Sequence, residues 1–197
     1  MALIFLIILI VSVFGFIKFR KTAEKEVKMD VLLIIAERDF QPIEFANTKA
    51  EVEKVANVKI ASTSKEATSA IGEKVTIDLL LEEVKVEDYD AIIFIGGPGA
   101  EQYFSDAQAL KIAKAAFAQG KIVAAICVAP IILANAGILQ GKNATVWDSG
   151  GEQAGILQEK GAIYTGKAVE KDGKIITANG PAAAKAFGKA IADALKG

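Results

Sequence analysis

Residues 121–137 are Lys121-Ile-Val-Ala-Ala-Ile-Cys127-Val-Ala-Pro130-Ile-Ile-Leu-Ala-Asn-Ala-Gly137, and they contain the only cysteine of the chain. The five apolar residues before Cys127 predict a buried strand, and the apolar run after Pro130 predicts a helix. A cysteine between a strand and a helix is typical of a nucleophile elbow, whose tight turn points the side chain toward backbone N–H groups. Such groups favour a thiolate, so Cys127 is a candidate nucleophile. The alternative is a buried and inert cysteine in an apolar run.

Strands and helices alternate along the rest of the chain. Continuous apolar runs at 31–36 and 91–95 are typical of strands buried on both faces. The other predicted elements are helices at 42–55, 106–118, 152–159 and 181–195, short strands at 58–61, 75–81, 144–146 and 162–164, and a hairpin at 169–177. This alternation predicts an α/β fold with a mostly parallel sheet.

The N-terminus is expected to be a membrane anchor. Residues 1–17 carry no charge, and five basic residues follow within the next eleven positions. At about 1.5 Å per residue the apolar run spans about 26 Å, close to the hydrocarbon core of a bilayer. Because the basic residues follow the run, the positive-inside rule predicts a cytoplasmic main domain; a cleaved signal peptide is the alternative. The expected organisation is a transmembrane anchor at 1–19, a basic juxtamembrane linker at 20–29 and an α/β domain at 30–197.

Composition excludes several classes of partner and cofactor. Residues 29–197 hold 18 basic and 22 acidic residues, so a nucleic-acid partner is not expected. A single cysteine excludes an internal disulfide, and with no histidine in the chain no zinc site of the usual kind is expected. The turn Gly96-Gly97-Pro98-Gly99 lacks the residues of a phosphate-binding loop. We therefore expect neither a cofactor nor a metal.

Three polar or glycine-rich segments follow predicted strands. They are residues 37–44 after the first strand, Gly96 and Gly97 after the middle strand, and Cys127. Ligands of open parallel sheets bind beyond the carboxyl ends of the strands, so the three segments are expected to form one site. Glu44 has an alternative interpretation as a solvated carboxylate in the first turn of a helix.

Four motifs carry a family resemblance: Phe-Gln-Pro-Ile-Glu-Phe at 40–45, Phe-Ile-Gly-Gly-Pro-Gly-Ala-Glu-Gln at 94–102, Ala-Ile-Cys-Val-Ala-Pro at 125–130, and Val-Glu-Lys-Asp-Gly-Lys-Ile-Ile-Thr-Ala-Asn-Gly-Pro at 169–181. With these motifs the chain resembles the ThiJ/PfpI family, over about residues 30–195. That family is a branch of the class I glutamine amidotransferase-like superfamily and includes deglycases and intracellular proteases. The resemblance implies a flavodoxin-like three-layer sandwich and a homo-oligomer.

The resemblance also implies roles for single residues. Cys127 matches the nucleophile, and Glu44 matches a glutamate whose carboxyl group contacts the cysteine sulfur. The backbone amides of Gly97 and Val128 match positions that stabilise an oxyanion. The further pocket candidates are Gly96, Pro98, Trp147 and Asp148.

The chain departs from the family where a histidine is expected. The position after the cysteine, histidine in the proteases, is Val128, and the histidine position of the deglycases aligns with Trp147, followed by Asp148. Trp147 is interpreted as a wall of the pocket or of the core, and Asp148 as a pocket carboxylate or a turn residue. Without histidine no cysteine–histidine pair forms, within one chain or between identical chains.

The missing histidine narrows the expected chemistry. Peptide hydrolysis needs a base for the nucleophile and an acid for the leaving amine, so peptidase activity is not expected. Addition of Cys127 to small reactive carbonyls, or to their adducts on proteins, needs only a thiolate and a group that moves protons. The expected function is therefore stress protection of the glyoxalase or deglycase type. The alternatives are a cysteine redox sensor and a binding module without catalysis.

Overall fold

The computed structural model describes residues 28–197, which form an α/β fold around a seven-stranded sheet. The strands are β1 Met29–Ile34, β2 Arg38–Phe40, β3 Ala56–Ser62, β4 Glu66–Ser69, β5 Lys74–Thr76, β6 Leu79–Leu80, β7 Ala91–Phe94, β8 Ile122–Ile126, β9 Asn143–Ala144, β10 Ile163–Tyr164, β11 Val169–Asp172 and β12 Ile175–Ala178. The helices are α1 Pro42–Val52, α2 Ala107–Ala118, α3 Pro130–Asn135, α4 Glu152–Glu159 and α5 Ala184–Leu195. Short 3-10 helices lie at Leu81–Glu83, Val86–Asp88, Pro98–Tyr103 and Pro181–Ala183.

The main sheet confirms the predicted, mostly parallel arrangement. Its strand order is β11-β12-β8-β7-β1-β3-β6, and every neighbouring pair is parallel except β11 with β12. Helices α1 and α5 pack on each other, α3 packs on both α2 and α4, and β8 contacts α5 as well as α2 and α3. All residues of β8 are buried, because helices cover both faces of the sheet at this strand.

Two smaller sheets lie beside the main one. Strands β2, β4 and β5 form a three-stranded sheet, and β9 pairs with β10. The run predicted as one strand at 75–81 is instead β5 and β6, separated at Ile77 and Asp78. Asp78 breaks the run because its carboxylate accepts the N–H of Ile60 at 2.7 Å while its own N–H donates to the Ile60 carbonyl at 3.0 Å. These two bonds turn the chain from the small sheet toward β3.

The predicted membrane anchor at 1–19 and most of the predicted linker at 20–29 lie outside the described residues. Within residues 28–197, none of the helices combines the length and the apolar character that a membrane crossing requires. The first strand of the domain begins at Met29.

Candidate active site

Cys127 lies in the turn that joins β8 to α3, in a conformation that is uncommon for a residue with a side chain. Its φ is +62°, in the left-handed region that favours glycine. Its N–H donates to the Ala178 carbonyl at 2.9 Å, and its carbonyl accepts the N–H of Trp147 at 2.8 Å. These bonds hold the strained residue in place, as is common at functional sites. The turn has the geometry predicted for an elbow, and the residue is buried, with 8% of its surface exposed.

Glu44 lies in the first turn of α1 and is completely buried. Its interpretation as a solvated carboxylate is therefore wrong. Oε2 accepts the N–H of Gly96 at 3.1 Å, whereas Oε1 is buried without a nitrogen or oxygen partner among the described residues. The thiol of Cys127 lies close enough to this carboxyl group to lower its pKa.

Gly96 allows Cys127 and Glu44 to approach each other. A Cβ atom at position 96 would lie 2.4 Å from Cys127 Cβ and 2.7 Å from Glu44 Oε2, both closer than nonbonded atoms tolerate. The carbonyl of Gly96 accepts the N–H of Gln41 at 2.9 Å, which ties the glycine turn to the segment before α1. The predicted convergence is therefore observed. Residues 37–44, the glycine turn and Cys127 meet at the carboxyl ends of β1, β7 and β8.

Burial determines the charge state of the pair. It raises the pKa of the Glu44 carboxyl from 4.5 to about 7, although the hydrogen bonds with Cys127 and Gly96 lower it. The pKa of the Cys127 thiol is raised from 9.0 to about 12, chiefly by burial and then by the negative charge of Glu44, while the N–H groups of Gly97 and Val128 oppose the rise. The low thiol pKa expected from the elbow is therefore wrong while Glu44 is ionised. Protonation of Glu44 removes the charge that raises the pKa of the thiol and lets the carboxyl group donate to sulfur, so it makes the thiolate less unfavourable.

The two predicted amides lie at the sulfur. The N–H groups of Gly97 and Val128 both hydrogen-bond to Cys127 and oppose the rise of its pKa. Pro98 is exposed and opens the 3-10 helix Pro98–Tyr103, so it shapes the turn from outside. Donors fixed at this place stabilise negative charge on sulfur, or on an oxygen that develops next to it.

The other two pocket candidates have different surroundings. Trp147 is 39% exposed and is joined to Cys127 through its backbone N–H. The carboxylate of Asp148 accepts the N–H of Gly151 at 3.0 Å and that of Gln153 at 3.2 Å. Asp148 therefore caps the start of α4, which agrees with its interpretation as a turn residue.

Sequence reasoning missed two features next to the site. The side-chain oxygen of Gln41 accepts the N–H groups of Ile43 and Glu44 at 2.6 and 3.2 Å and so caps α1. The Gln-Pro pair at the helix start was the available signal, because a residue before Pro at the first helical position is the place for a cap. A polar cavity of about 450 Å³ also opens beside β2, and its lining consists of Glu37, Arg38, Asp39, Ser64, Glu66 and Thr68.

Comparison with known proteins gives consistent matches. The model of the DJ-1/PfpI family matches residues 29–194. A protein of Methanocaldococcus jannaschii is 36% identical over 169 residues, which are 84% of this chain and 82% of that protein. Deglycase PfpI of Pyrococcus furiosus is 33% identical over 116 residues, 58% of this chain and 70% of its own length.

Solved structures share the fold. The ThiJ/PfpI domain protein from Brachyspira murdochii has a TM-score of 0.81 at 31% identity and covers 86% of this chain and 98% of that chain. Drosophila melanogaster DJ-1beta has a TM-score of 0.76 at 24% identity, covering 85% of this chain and 90% of its own. The second likeness concerns the fold alone.

Proposed function

The chain belongs to the DJ-1/PfpI family, and from that premise we propose that it converts small reactive carbonyls, or their adducts, by a cysteine-dependent reaction of the glyoxalase or deglycase type. The observation that carries the proposal is the buried pair of Cys127 and Glu44, with the amides of Gly97 and Val128 at the sulfur. Membership of the family, together with relatives named as deglycases, supports a general deglycase or protease-like role.

The reaction begins with attack by the Cys127 sulfur. Because the pKa of the thiol, about 12, lies well above that of Glu44, about 7, the Glu44 carboxylate takes the thiol proton as the attack proceeds and not before it. The sulfur attacks the aldehyde carbon of an α-oxoaldehyde, so that a C–S bond forms and the carbonyl π electrons move to oxygen. That oxygen accepts hydrogen bonds from the Gly97 and Val128 amides and then the proton of Glu44. The product of this step is a hemithioacetal.

Glu44 can also complete the turnover. As a carboxylate it removes the proton from the former aldehyde carbon, and the neighbouring carbonyl oxygen takes a proton to give an enediol. As an acid it returns a proton to the adjacent carbon while the hydroxyl of the sulfur-bearing carbon loses its proton, which leaves a thioester on Cys127. Water then hydrolyses the thioester and releases a 2-hydroxy acid and the free thiol. The sum is one α-oxoaldehyde and one water giving one hydroxy acid, so no external oxidant is required. A carboxyl group whose pKa lies near the operating pH suits both transfers.

Turnover of methylglyoxal by the full-length chain tests the proposal. We expect release of a 2-hydroxy acid by the wild type, no turnover above background by Cys127→Ala, and a fall of about 100-fold in kcat for Glu44→Gln. Glu53→Gln, an exposed carboxylate after the same helix, is the matched control and should keep wild-type rates. Absence of turnover by the wild type, or equal rates in Cys127→Ala, would contradict the proposal.

The same pair supports a second candidate, a redox sensor. A thiolate that attacks a peroxide becomes a sulfenic acid with release of water, and a second peroxide gives a sulfinic acid. The carboxyl group of Glu44, protonated at Oε1, would then donate a hydrogen bond to a sulfinic oxygen; this Oε1 is buried and has no nitrogen or oxygen partner among residues 28–197. Intact-mass spectra after mild peroxide should show one or two added oxygens that Cys127→Ala lacks. Unchanged mass in both proteins would reject this candidate.

We also propose a membrane location and self-association. The uncharged run at 1–17 and the basic residues after it support an anchor with the main domain in the cytoplasm. Self-association rests on the family resemblance. If the anchor exists, the full-length chain remains with membranes after an alkaline wash and leaves them with detergent; release by alkali alone would reject it. Light scattering of the detergent-solubilised chain should give a multiple of the monomer mass, and a monomer would reject self-association.

A further inference from the structure

The chain has one tryptophan, and the structure holds it next to the one cysteine. The N–H of Trp147 donates to the Cys127 carbonyl at 2.8 Å, and the N–H of Cys127 donates to the Ala178 carbonyl at 2.9 Å. The main chain of Cys127 therefore lies between residue 147 on one side and the end of β12 on the other. With 39% of its surface exposed, Trp147 has not been taken into the core.

The indole ring is fixed by the loop that follows β12. A Cβ atom at Gly180 would lie 3.2 Å from Trp147 Cδ1, so the edge of the ring packs directly against the glycine backbone. Gly180 has a φ of +134°, which residues with a side chain rarely adopt. Ala178, the last residue of β12 just before this loop, accepts the N–H of Cys127. The ring and the sulfur are thus positioned by shared elements, and we expect the ring to keep its place when a ligand binds.

Indole chemistry limits what Trp147 can do. Its ring N–H is a donor only and neither gives up nor accepts a proton near neutral pH, so it does not replace a histidine as acid or base. Its exposed part offers a large apolar face that favours another aromatic ring in a stacked or edge-to-face arrangement. A partly exposed tryptophan whose backbone is bonded to that of the nucleophile is consequently suited to hold a substituent of the substrate.

We propose that Trp147 is a specificity-determining residue, which selects carbonyl substrates that carry an aromatic substituent over those that carry hydrogen or methyl. The inference rests on the proposed function, because it concerns the same attack of Cys127 on an aldehyde carbon. The bonds formed and broken remain those of that attack. Trp147 adds contact with the substituent, and this contact raises kcat/KM for aryl substrates alone.

The test compares phenylglyoxal with methylglyoxal on the full-length chain. We expect Trp147→Ala to lower kcat/KM for phenylglyoxal about tenfold and that for methylglyoxal less than about threefold. Trp147→Phe should keep most of the preference, because it retains an aromatic face. Phe117→Ala, which removes an exposed ring from α2, is the matched control and should change neither value. Equal effects on both substrates, or no effect on either, would overturn the inference.

A binding measurement separates this inference from the proposed function. Benzamide and acetamide both present a carbonyl oxygen, but neither forms an adduct with a thiol under mild conditions. Since Trp147 is the only tryptophan, its fluorescence reports directly on a ligand that contacts the indole ring in the Cys127→Ala protein. We expect saturable quenching by benzamide and none by acetamide. Quenching without any turnover by the wild type would reject the proposed function and retain the aromatic subsite; no saturable quenching would reject the subsite.

Discussion

At the scale of single residues, the site depends on a strained backbone conformation at Cys127 and on the absence of a side chain at Gly96. Cys127 has a φ of +62°, and a non-glycine residue in this region costs of the order of 1–3 kcal/mol. The hydrogen bonds to Ala178 and Trp147 hold that conformation. Gly96 has no side chain, and this absence leaves the space in which Glu44 approaches Cys127. Neither property is visible in a list of catalytic side chains, yet both decide whether the pair forms.

Gly96→Ala tests the close approach. The added methyl group would lie 2.4 Å from Cys127 Cβ, so the turn must shift. We expect a loss of about 1–3 kcal/mol in the free energy of unfolding, measured with urea, and loss of carbonyl turnover. Gly150→Ala is the control, because a Cβ there meets nothing within 4 Å. Equal stability and activity in the two variants would show that Gly96 is not required.

At the scale of elements, three predicted strand ends account for the site. The runs at 31–36, 91–95 and 122–126 predicted β1, β7 and β8 to within two residues, because strands buried on both faces are continuously apolar. Position at the carboxyl ends of those strands then brought Glu44, Gly96 and Cys127 together. The predicted convergence is confirmed, since Glu44 accepts the N–H of Gly96.

Polar elements escaped prediction for a physical reason. Strands β2 and β4 are Arg-Asp-Phe and Glu-Ala-Thr-Ser, which have neither an apolar run nor a strict alternation, so tertiary pairing alone determines them.

The charge state of the site also escaped prediction. The elbow motif indicated a low thiol pKa, but burial, which no local pattern reveals, raises the pKa of Cys127 to about 12.

The start of α1 gives a prediction at this scale. Gln41→Ala removes the side-chain oxygen that accepts the N–H groups of Ile43 and Glu44. We expect a loss of about 1 kcal/mol in the free energy of unfolding, as for other helix caps. We also expect a lower kcat, because the first turn positions Glu44. Gln158→Ala on the exposed side of α4 is the control, and its stability and kcat should be unchanged. The capping role is refuted if both variants behave alike.

At the scale of the whole molecule, the buried carboxyl group links folding to pH. The folded state raises the pKa of Glu44 from 4.5 to about 7, so the folded chain binds more protons than the unfolded chain between these values. Stability must therefore fall as the pH rises from about 4.5 to about 7, and it is greatest, for this group, below the lower value. The site thus costs the molecule stability at neutral pH.

Urea unfolding as a function of pH measures that cost. From the pKa change, Glu44 lowers the free energy of unfolding by about 3 kcal/mol between pH 4.5 and pH 7. The full-length wild type should lose stability of this order between pH 4.5 and 7, whereas Glu44→Gln should show a much flatter dependence. Glu53→Gln should follow the wild type. A wild-type slope that persists in Glu44→Gln would assign the effect to other groups.

The central claim is that the charge of Glu44 controls the ionisation of Cys127, and the pH dependence of Cys127 alkylation tests it most directly. Glu44 loses its proton near pH 7, and its charge together with burial then raises the pKa of the thiol to about 12, so the wild type should react slowly through neutral pH and faster only in the alkaline range. In Glu44→Gln the rise should move to lower pH, since the amide carries no negative charge that disfavours the thiolate. The account predicts this difference between the two proteins. Identical profiles, or a wild type that reacts already near the ordinary thiol pKa of about 8.5, would contradict it.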